Sequence, residues 1–367
     1  MTLKRSRLLL LALLVPAAAG TAFFGGAAPS GDTQAGASSV RPPGTVYTGQ
    51  AFTFNKIQDG IYHAVGTGNL VVMSNATIVE GDRDVLVVDS HVTPGGAWAL
   101  REELKAITPK PIRFVVNSHY HFDHSHGNQI YGPDVEIIGH EFARQMIVAG
   151  KSLDSPAHNF FVGGVSNTIK TLEQRLAAAT DPKEQATIKA QLDVQRNHLE
   201  GTEAVRPTPP TVTLTHTMTL HRGAREIRVL HLGRGHTAGD VVIHLPRERI
   251  IATGDLLVEN TSYMGDAYFT EWIDTIEALK KLDFETVLPG HGRAFTGKVK
   301  LDHWQAYLRD FWLQAQKFHT AGIPAEEAAK QVDLRSHAVN YPLIRSVGIT
   351  PNHGMLRAYE LLDGKTQ

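Results

Sequence analysis

The segment from Asn117 to Asn128, NSHYHFDHSHGN, holds four histidines and one aspartate within twelve residues. Imidazole nitrogens and carboxylate oxygens are the ligands that transition metal ions accept in a chain without cysteine. His119 and His121 alternate after an apolar run, so in an extended segment both side chains point to one side, toward one ion. Asp123 and His124 follow directly and are predicted to face a second ion close to the first.

Further candidate ligands lie where later strand patterns end. They are His236 in GRGHTAGD, Asp255 in ATGDLL and His291 in LPGHG. A histidine-rich surface loop that chelates metal by chance predicts no such additional ligands. The full set divides into two groups of three with one shared carboxylate: His119, His121 and His236 for the first ion, Asp123, His124 and His291 for the second, and Asp255 between them.

Two ions about 3.5–4 Å apart hold a water or hydroxide between them and lower its pKa toward neutrality. Such a nucleophile suits attack on a carbonyl, with one ion stabilising the oxyanion and the other the leaving group. Asp123 is expected to orient the nucleophile and to carry its proton as a catalytic residue. The ligand types favour two zinc ions over manganese or iron. The ligands therefore predict a metal-dependent hydrolase with a small-molecule substrate.

The elements that position these residues follow a strand, helix, strand order. DVLVVDS (84–90) is typical of a buried strand, GGAWALREELKAI (95–107) of a helix and PIRFVVNS (111–118) of a second strand. Further strands are predicted over 226–233, 240–246 and 249–255, and an amphipathic helix over 270–283. Residues 286–292 are predicted to be a strand that runs into a loop. Candidate ligands at strand ends are usual in α/β proteins, which is the fold class that this order predicts.

These motifs resemble those of the metallo-β-lactamase fold superfamily. HYHFDH matches the family's His-x-His-x-Asp-His motif, and His236, Asp255 and His291 match its later ligand motifs in order. The resemblance spans about residues 57–294 and implies an αββα sandwich with the metals at one edge, between two β-sheets. We therefore expect a catalytic domain over 46–300. Asp89 falls where the family commonly has an aspartate that orients a ligand histidine.

The family hydrolyses β-lactams, lactones, thioesters and phosphoesters, so the resemblance leaves the substrate open. Asp255 stands where many β-lactamases have a bridging cysteine, which makes the chain similar to the glyoxalase II and lactonase branches. Val258 replaces both the lysine of those lactamases and the tyrosine of many lactonases. Two other classes remain as alternatives: a mononuclear iron oxidase similar to persulfide dioxygenases, and a non-catalytic periplasmic accessory protein. His121 argues against flavodiiron oxygen reductases, which have glutamate there.

The first 28 residues predict a secretory signal peptide. KRSR, LLLLALLV and PAAAG give a basic start, an apolar run and a small-residue patch, and an uncleaved membrane anchor is the alternative. Residues 29–45 are expected to form a flexible linker, with folded structure beginning near Val46. These patterns predict a periplasmic or secreted protein with no stable membrane span after cleavage.

Three segments complete the predicted organisation. Residues 150–205 are expected to form a helical insertion, with a hairpin over 166–201 broken at Asp181 and Pro182, either as a solvated insertion or as a lid. Residues 301–367 are expected to form a C-terminal helical extension. The aromatic stretch after Asp255 supplies candidates for the wall of a substrate pocket, with packing in the core as the alternative: Tyr263, Met264, Tyr268 and Phe269.

Composition excludes some partners. The chain has 367 residues, 36 basic and 37 acidic, and a net charge of -1. No overall field therefore attracts nucleic acid or an anionic membrane surface. The absence of cysteine excludes disulfides, and the sequence makes no prediction of oligomeric state.

Overall fold

Two β-sheets form the centre of the protein in the computed structural model, which describes residues 40–342 and 349–365. The first sheet has seven strands in sequence order, antiparallel as far as the fourth strand and parallel from there to the seventh. Its strands are β1 (Phe52–Gln58), β2 (Ile61–Gly66), β3 (Ala76–Glu80), β4 (Val85–Val88), β5 (Ile112–Val116), β6 (Glu136–His140) and β7 (Val212–Leu214).

The second sheet has six strands in the order β13-β12-β11-β10-β9-β8. Its pairs are antiparallel except for β11 and β12, which run parallel. The strands are β8 (Thr217–Arg222), β9 (Arg225–Leu230), β10 (Val242–Leu245), β11 (Ile250–Gly254), β12 (Thr286–Pro289) and β13 (Phe295–Thr296).

Helices flank the sheets and connect them. They are α1 (Pro94–Leu104), α2 (Phe122–Ser125), α3 (Glu141–Val148), α4 (Pro156–Phe161), α5 (Val165–Ala178), α6 (Pro182–Glu203), α7 (Phe269–Lys280), α8 (Val299–Thr320), α9 (Ala325–Gln331) and α10 (Ile349–Leu362). Single-turn 3-10 helices lie at His126–Ile130 and Arg335–His337. Along the described ranges no helix is both long and apolar enough to cross a membrane.

Three apolar layers hold these elements together. The middle layer lies between the sheets, where Leu86 and Val116 of the first sheet share a cluster with Ile243 and Leu288 of the second. On the outer face of the first sheet, β3 and β4 pack against α1. On the outer face of the second sheet, β11 and β12 pack against α7, α8 and α10. The αββα sandwich that the motifs implied is therefore confirmed.

The helical insertion contains α4, α5 and α6. Asp181 caps α6, where its side chain accepts a hydrogen bond from the backbone N–H of Lys183, and Pro182 occupies the first turn. Apolar residues of α5 and α6, including Leu172 and Ile188, form a small cluster of their own.

Residues just before the first strand pack against α6. The Asn197 side chain donates to the backbone oxygen of Gly44 at 2.8 Å and accepts from the backbone N–H of Val46 at 2.7 Å. Gly44 has φ +74°, and a Cβ there would lie 2.5 Å from the Cα of Gly201. Packed structure is thus present at Gly44, two residues before Val46. The predicted signal peptide, and residues 29–39 of the predicted linker, lie outside the described residues.

Candidate metal centre

The candidate ligands meet at one edge of the sandwich because the carboxyl ends of β5, β9, β11 and β12, which precede them in sequence, lie there. β4 and β5 are parallel neighbours in the first sheet, and β11 and β12 are parallel neighbours in the second. The loops join across the sheets: the backbone N–H of Val241 donates to Ser118 O at 2.8 Å, and that of Asn75 donates to Gly290 O at 2.8 Å. Strand pairing therefore fixes the relative positions of segments far apart in sequence.

The first ligand group consists of His119, His121 and His236. One ligand atom from each lies within 4.8 Å of those of the other two, and all three side chains are buried. His236 Nε2 is 3.0 Å from His121 Nδ1. His119 Nε2 is buried and has no hydrogen-bond partner. A buried nitrogen left without a partner is costly, and a metal ion satisfies it, so the donor set fits the expected ion.

The second ligand group consists of Asp123, His124 and His291. Asp123 Oδ2 lies 3.1 Å from His291 Nε2 and 3.4 Å from His124 Nε2. His124 Nε2 is again a buried atom without a hydrogen-bond partner. One carboxylate oxygen and two imidazole nitrogens are suitable ligands for zinc.

Asp255 lies between the two groups. Its Oδ1 is 3.4 Å from His124 Nε2, and its Oδ2 is 3.3 Å from His291 Nε2 and 3.7 Å from His236 Nε2. A Cβ at position 290 would lie 2.2 Å from Asp255 Oδ1, so only glycine fits beside this carboxylate. The structure thus brings all seven predicted ligands together, with Asp255 in reach of both groups.

The electrostatics of the site favour bound cations. Burial lowers the pKa of His236 to about 3, and burial together with neighbouring histidines lowers the pKa of His119 well below its usual value. Both imidazoles are therefore neutral and available as ligands. Burial alone lowers the pKa of His291, but Asp255 and Asp123 outweigh it and raise that pKa to about 10. These carboxylates favour positive charge beside them, which a metal ion supplies as well as a proton does.

Asp89 positions two of the ligand histidines. Its Oδ2 accepts a hydrogen bond from His124 Nδ1 at 2.7 Å, and its Oδ1 accepts one from the Ser118 backbone N–H at 2.7 Å. Ser118 Oγ donates to Asp89 at 2.9 Å and lies 3.0 Å from His119 Nδ1. These partners place the imidazole protons on Nδ1 of both rings and leave each Nε2 free for a metal.

Asp266 holds the third histidine, and sequence reasoning missed it. Its Oδ2 lies 2.9 Å from His121 Nε2, and both side chains are buried. With that nitrogen donating to Asp266, His121 Nδ1 faces His236 as a ligand atom. Asp266 lies in the aromatic stretch after Asp255, for which the sequence predicted only a pocket wall. The signal that could have identified it is a second carboxylate soon after the predicted ligand Asp255.

The local backbone differs from the extended chain expected for the histidine motif. β5 ends at Val116, and Asp123 and His124 lie on the one-turn helix α2, with His121 at its N-cap. The separate directions of these side chains therefore come from a helical turn and not from alternation along a strand.

The family assignment follows from a sequence comparison. The model of the metallo-β-lactamase superfamily matches residues 70–291, which is more than half of the chain. The chain belongs to the metallo-β-lactamase superfamily. The resemblance seen in the ligand motifs is thereby confirmed.

Several relatives are similar to part of the chain. A linear primary-alkylsulfatase of Pseudomonas sp. (strain ATCC 19151) is 20% identical over 305 residues, which cover 77% of this chain and 54% of the relative. The alpha subunit of a 2,4-dinitroanisole O-demethylase of Nocardioides sp. (strain JS1661) is 24% identical, over 58% of this chain and 51% of the relative. A probable metallo-hydrolase of Bacillus subtilis (strain 168), YqjP, is 26% identical, over 60% of this chain and 67% of the relative. The chain thus spans about half the length of the first two relatives.

A solved structure shows a similar fold. The stereoselective inverting sec-alkylsulfatase Pisa1 from Pseudomonas sp. superimposes with a TM-score of 0.55 at 16% identity, covering 84% of this chain and 50% of that one. At this identity the likeness concerns the superfamily fold alone.

A cavity of about 300 Å³ opens beside the ligand groups. His121, Asp123, Asp255 and His291 lie on one side of it, so the ligands are accessible to a small molecule. Much of the remaining wall is apolar or aromatic: Met73, Phe122, Ala157, Phe161, Val258 and Tyr263. Asn260, Thr261 and Ser262 add a polar strip.

Only one of the four predicted pocket residues lines this cavity. Tyr263 does so, but Met264 and Phe269 are fully buried in the core between the second sheet and its helices. Phe269 stacks on Phe311, with ring centroids 5.1 Å apart. Tyr268 is also buried, with the Arg234 guanidinium 4.3 Å from the centroid of its ring. The prediction was wrong for these three, because aromatic composition does not distinguish a core wall from a pocket wall.

Proposed function

We propose that this protein is an exported hydrolase with two zinc ions that attacks the carbonyl group of a small ester, lactone or lactam. One observation carries the proposal: two groups of three ligand side chains, all buried except the partly exposed His291, share Asp255 beside an open cavity. Membership of a superfamily that includes hydrolases supports the coarser statement of a metal-dependent hydrolase.

The residues divide the chemistry between them. Zinc ions held at the two ligand groups supply Lewis acidity and a bound water whose pKa is lowered to about 7. Asp123 lines the cavity and belongs to the second group, so its carboxylate can orient the attacking water and hold the proton that it releases. The apolar wall around the ligands excludes bulk water and strengthens the electrostatic interactions within the site.

The intact second group supports the dinuclear proposal over the mononuclear oxidase. Three side chains there converge on one point in addition to the three histidines of the first group. Metal analysis tests this choice: two zinc ions per chain support the hydrolase, whereas one iron with oxygen uptake overturns it. An intact dinuclear site without turnover of any substrate supports the non-catalytic accessory protein.

Export is the second part of the proposal. It rests on the basic, apolar and small-residue pattern of residues 1–28. Expression of the full chain in a Gram-negative host, followed by fractionation and N-terminal sequencing, tests it. Mature protein in the periplasm, cleaved before residue 46, supports export, and uncleaved cytoplasmic protein overturns it.

A hydrolysis screen of the zinc-loaded full chain tests the activity. The panel contains nitrocefin, a lactone, a thioester, a phosphoester and a carboxylic ester. It also contains a primary alkyl sulfate, because an alkylsulfatase is among the relatives. The His119→Ala variant is expected to lose the first ion and with it all turnover, since the group has only three protein ligands apart from Asp255. Full activity with two ions in this variant overturns the assignment.

A further inference from the structure

Much of the cavity wall outside the metal ligands is apolar. Phe122 and Ala157 belong to one small buried cluster, against which Met73 and Tyr263 pack. Phe161 of α4 extends this wall, with its ring centroid 6.1 Å from that of Phe122 and 6.2 Å from that of Tyr263. A substrate whose reacting group lies at the ligands must therefore place its remaining atoms against these side chains.

The described residues that line the cavity include no lysine or arginine. Val258, on the loop that follows Asp255, is one of the lining residues and is apolar. Three cations follow His291 in sequence, and Lys298 donates to the backbone oxygens of Lys280 and Leu282. The other two are engaged by Glu259. Arg293 Nη2 lies 2.7 Å from the Glu259 carboxylate, and Lys300 Nζ donates to the backbone oxygen of Glu259. Apart from the metal ligands, the described wall thus offers an anionic substituent no opposite charge.

Exposed aromatic side chains continue the apolar surface at the mouth. Phe160 and Phe161 are 42% and 40% exposed, which is unusual for adjacent phenylalanines on a short helix. His353 of α10 reaches the same place, with its ring centroid 5.1 Å from that of Phe160 and 5.4 Å from that of Tyr263. The insertion and the C-terminal helix therefore both contribute to an aromatic entrance.

We infer that the site selects substrates whose non-reacting part is apolar and uncharged, such as alkyl or aryl esters, over substrates that carry a carboxylate. This inference rests on the proposed hydrolase. The physical reason is desolvation. A carboxylate that packs against this wall loses its hydration without gaining a charged partner. An alkyl or aryl group gains binding free energy when it is buried against the aromatic rings.

A matched pair of esters tests the inference on the zinc-loaded full chain. p-Nitrophenyl hexanoate and mono-p-nitrophenyl adipate have the same leaving group and the same six-carbon acyl chain, but only the adipate ends in a carboxylate. We expect kcat/KM to be roughly tenfold or more higher for the hexanoate. Using kcat/KM removes the effect of unproductive binding of the free carboxylate to the metal ions. Equal values, or a preference for the adipate, overturn the inference while leaving the hydrolase in place.

Substitutions of Val258 in the cavity wall provide a second test of the inference. Val258→Lys supplies the missing cation and should raise the relative rate for the adipate, so that the preference shrinks roughly tenfold. Val258→Met adds comparable length without charge and should keep the preference. A preference that changes alike in both variants shows that size, rather than charge, controls selection, and overturns the inference.

Binding separates this inference from the proposed hydrolysis. The hexanoyl and adipoyl compounds are prepared as p-nitroanilides, because amide bonds resist cleavage. Calorimetry then measures their binding to the zinc-loaded chain and to its two Val258 variants. Tighter binding of the neutral anilide, with a preference that falls in Val258→Lys but not in Val258→Met, supports the inference. If no ester is hydrolysed, this result still supports the inference, and only the proposed hydrolase is overturned. Coordination of the free carboxylate to the zinc ions is common to all three proteins, so a ratio of the two affinities that is equal in Val258→Lys and Val258→Met overturns the inference.

Discussion

Asp255 is the side chain on which both ligand groups depend. Its two oxygens lie within 3.3–3.7 Å of imidazole nitrogens from three strand ends. Burial alone raises the pKa of Asp255, but His291 and His124 outweigh it and lower that pKa well below the usual value. The carboxylate is therefore ionised, and a full negative charge lies between the two expected cations.

Neutralising this charge is predicted to affect the second ion more than the first. Asp255→Asn leaves three histidines around the first ion, while the second keeps Asp123, His124 and His291 but loses the carboxylate that ties it to its neighbour. We expect zinc content to fall from two toward one per chain, and the rate to peak at higher pH, because a single zinc activates its water less.

Zinc analysis and a pH–rate profile of the purified variant check this expectation. Asp274→Asn, which changes an exposed aspartate on α7, is the matched control and should keep two ions. Two tightly held ions and an unchanged profile in Asp255→Asn contradict the shared-ligand assignment.

Asp89 controls the ligands without belonging to either group. In Asp89→Asn the amide cannot replace a carboxylate that accepts from His124 Nδ1, the Ser118 backbone N–H and Ser118 Oγ. We expect roughly 10–100-fold weaker zinc affinity, since partners of ligand histidines fix the ring orientation and the tautomer. Competition with a chromogenic chelator measures the affinity, and Asp274→Asn is again the control. Unchanged affinity contradicts the positioning role.

The sequence could predict the ligands but not all of their partners. The ligand types are unusual and come in a fixed order, so His119, His236 and His291 stand out without any coordinates. Asp266 does not, because its contact with His121 joins residues 145 positions apart and arises only when the sandwich forms. Met264 and Phe269 resemble pocket residues in composition, and only the packing of α8 over them decides otherwise.

At the scale of elements, the strand ends and the longer helices α1 and α7 were predictable, and the one-turn helix α2 beside the ligands was not. The strand expected within 286–292 corresponds to β12 (Thr286–Pro289), because its apolar run is bounded by a Gly-rich loop. The short helices α2 and α4 have no such pattern, since a helix of one or two turns depends on its caps and tertiary contacts. α4 nevertheless brings Phe161 to the cavity.

Helix α6 carries a structural contact that can be tested alone. Asn197 is buried, and its amide bonds the backbone on both sides of Thr45. Asn197→Ala leaves those backbone groups without their partner and is expected to lower the free energy of unfolding by about 1–3 kcal/mol. Urea denaturation measures the loss.

The control for Asn197→Ala is Gln191→Ala, an exposed position on the same helix. It should change the free energy of unfolding by no more than about 0.5 kcal/mol. Equal stabilities of the two variants contradict the view that α6 holds the segment before β1.

At the scale of the whole molecule, the helices after residue 300 are part of the main core. Trp304, Leu308 and Phe311 of α8 share one cluster with Ile251 and Val287 of the second sheet. The fully buried Arg357 of α10 donates from Nε to Ala267 O at 3.1 Å, on the loop that also carries Asp266. The C-terminal helices therefore support the loop that positions a ligand histidine.

Buried histidines outside the ligand set make the stability of the molecule sensitive to acid. Burial lowers the pKa of His91 to about 3 and that of His198 to about 4. In the unfolded chain a histidine pKa is about 6.5, so between the two values the unfolded state binds more protons than the folded state. The stability from each neutral histidine is fully present above pH 6.5 and is lost as pH falls toward 4.

His198 allows a test that leaves the metal ligands unchanged, because it lies on α6 and burial is the cause of its pKa shift. In His198→Gln, the slope of the unfolding free energy against pH between 6.5 and 4.5 should decrease by up to about 1.4 kcal/mol per pH unit, the contribution of one proton. Urea denaturation of the metal-free chain at a series of pH values gives this slope. Gln191→Ala changes no titrating group on the same helix and should keep the slope of the unmodified chain. If the two variants give the same slope, His198 is protonated in the folded state at these pH values, and the acid sensitivity of the molecule has another origin.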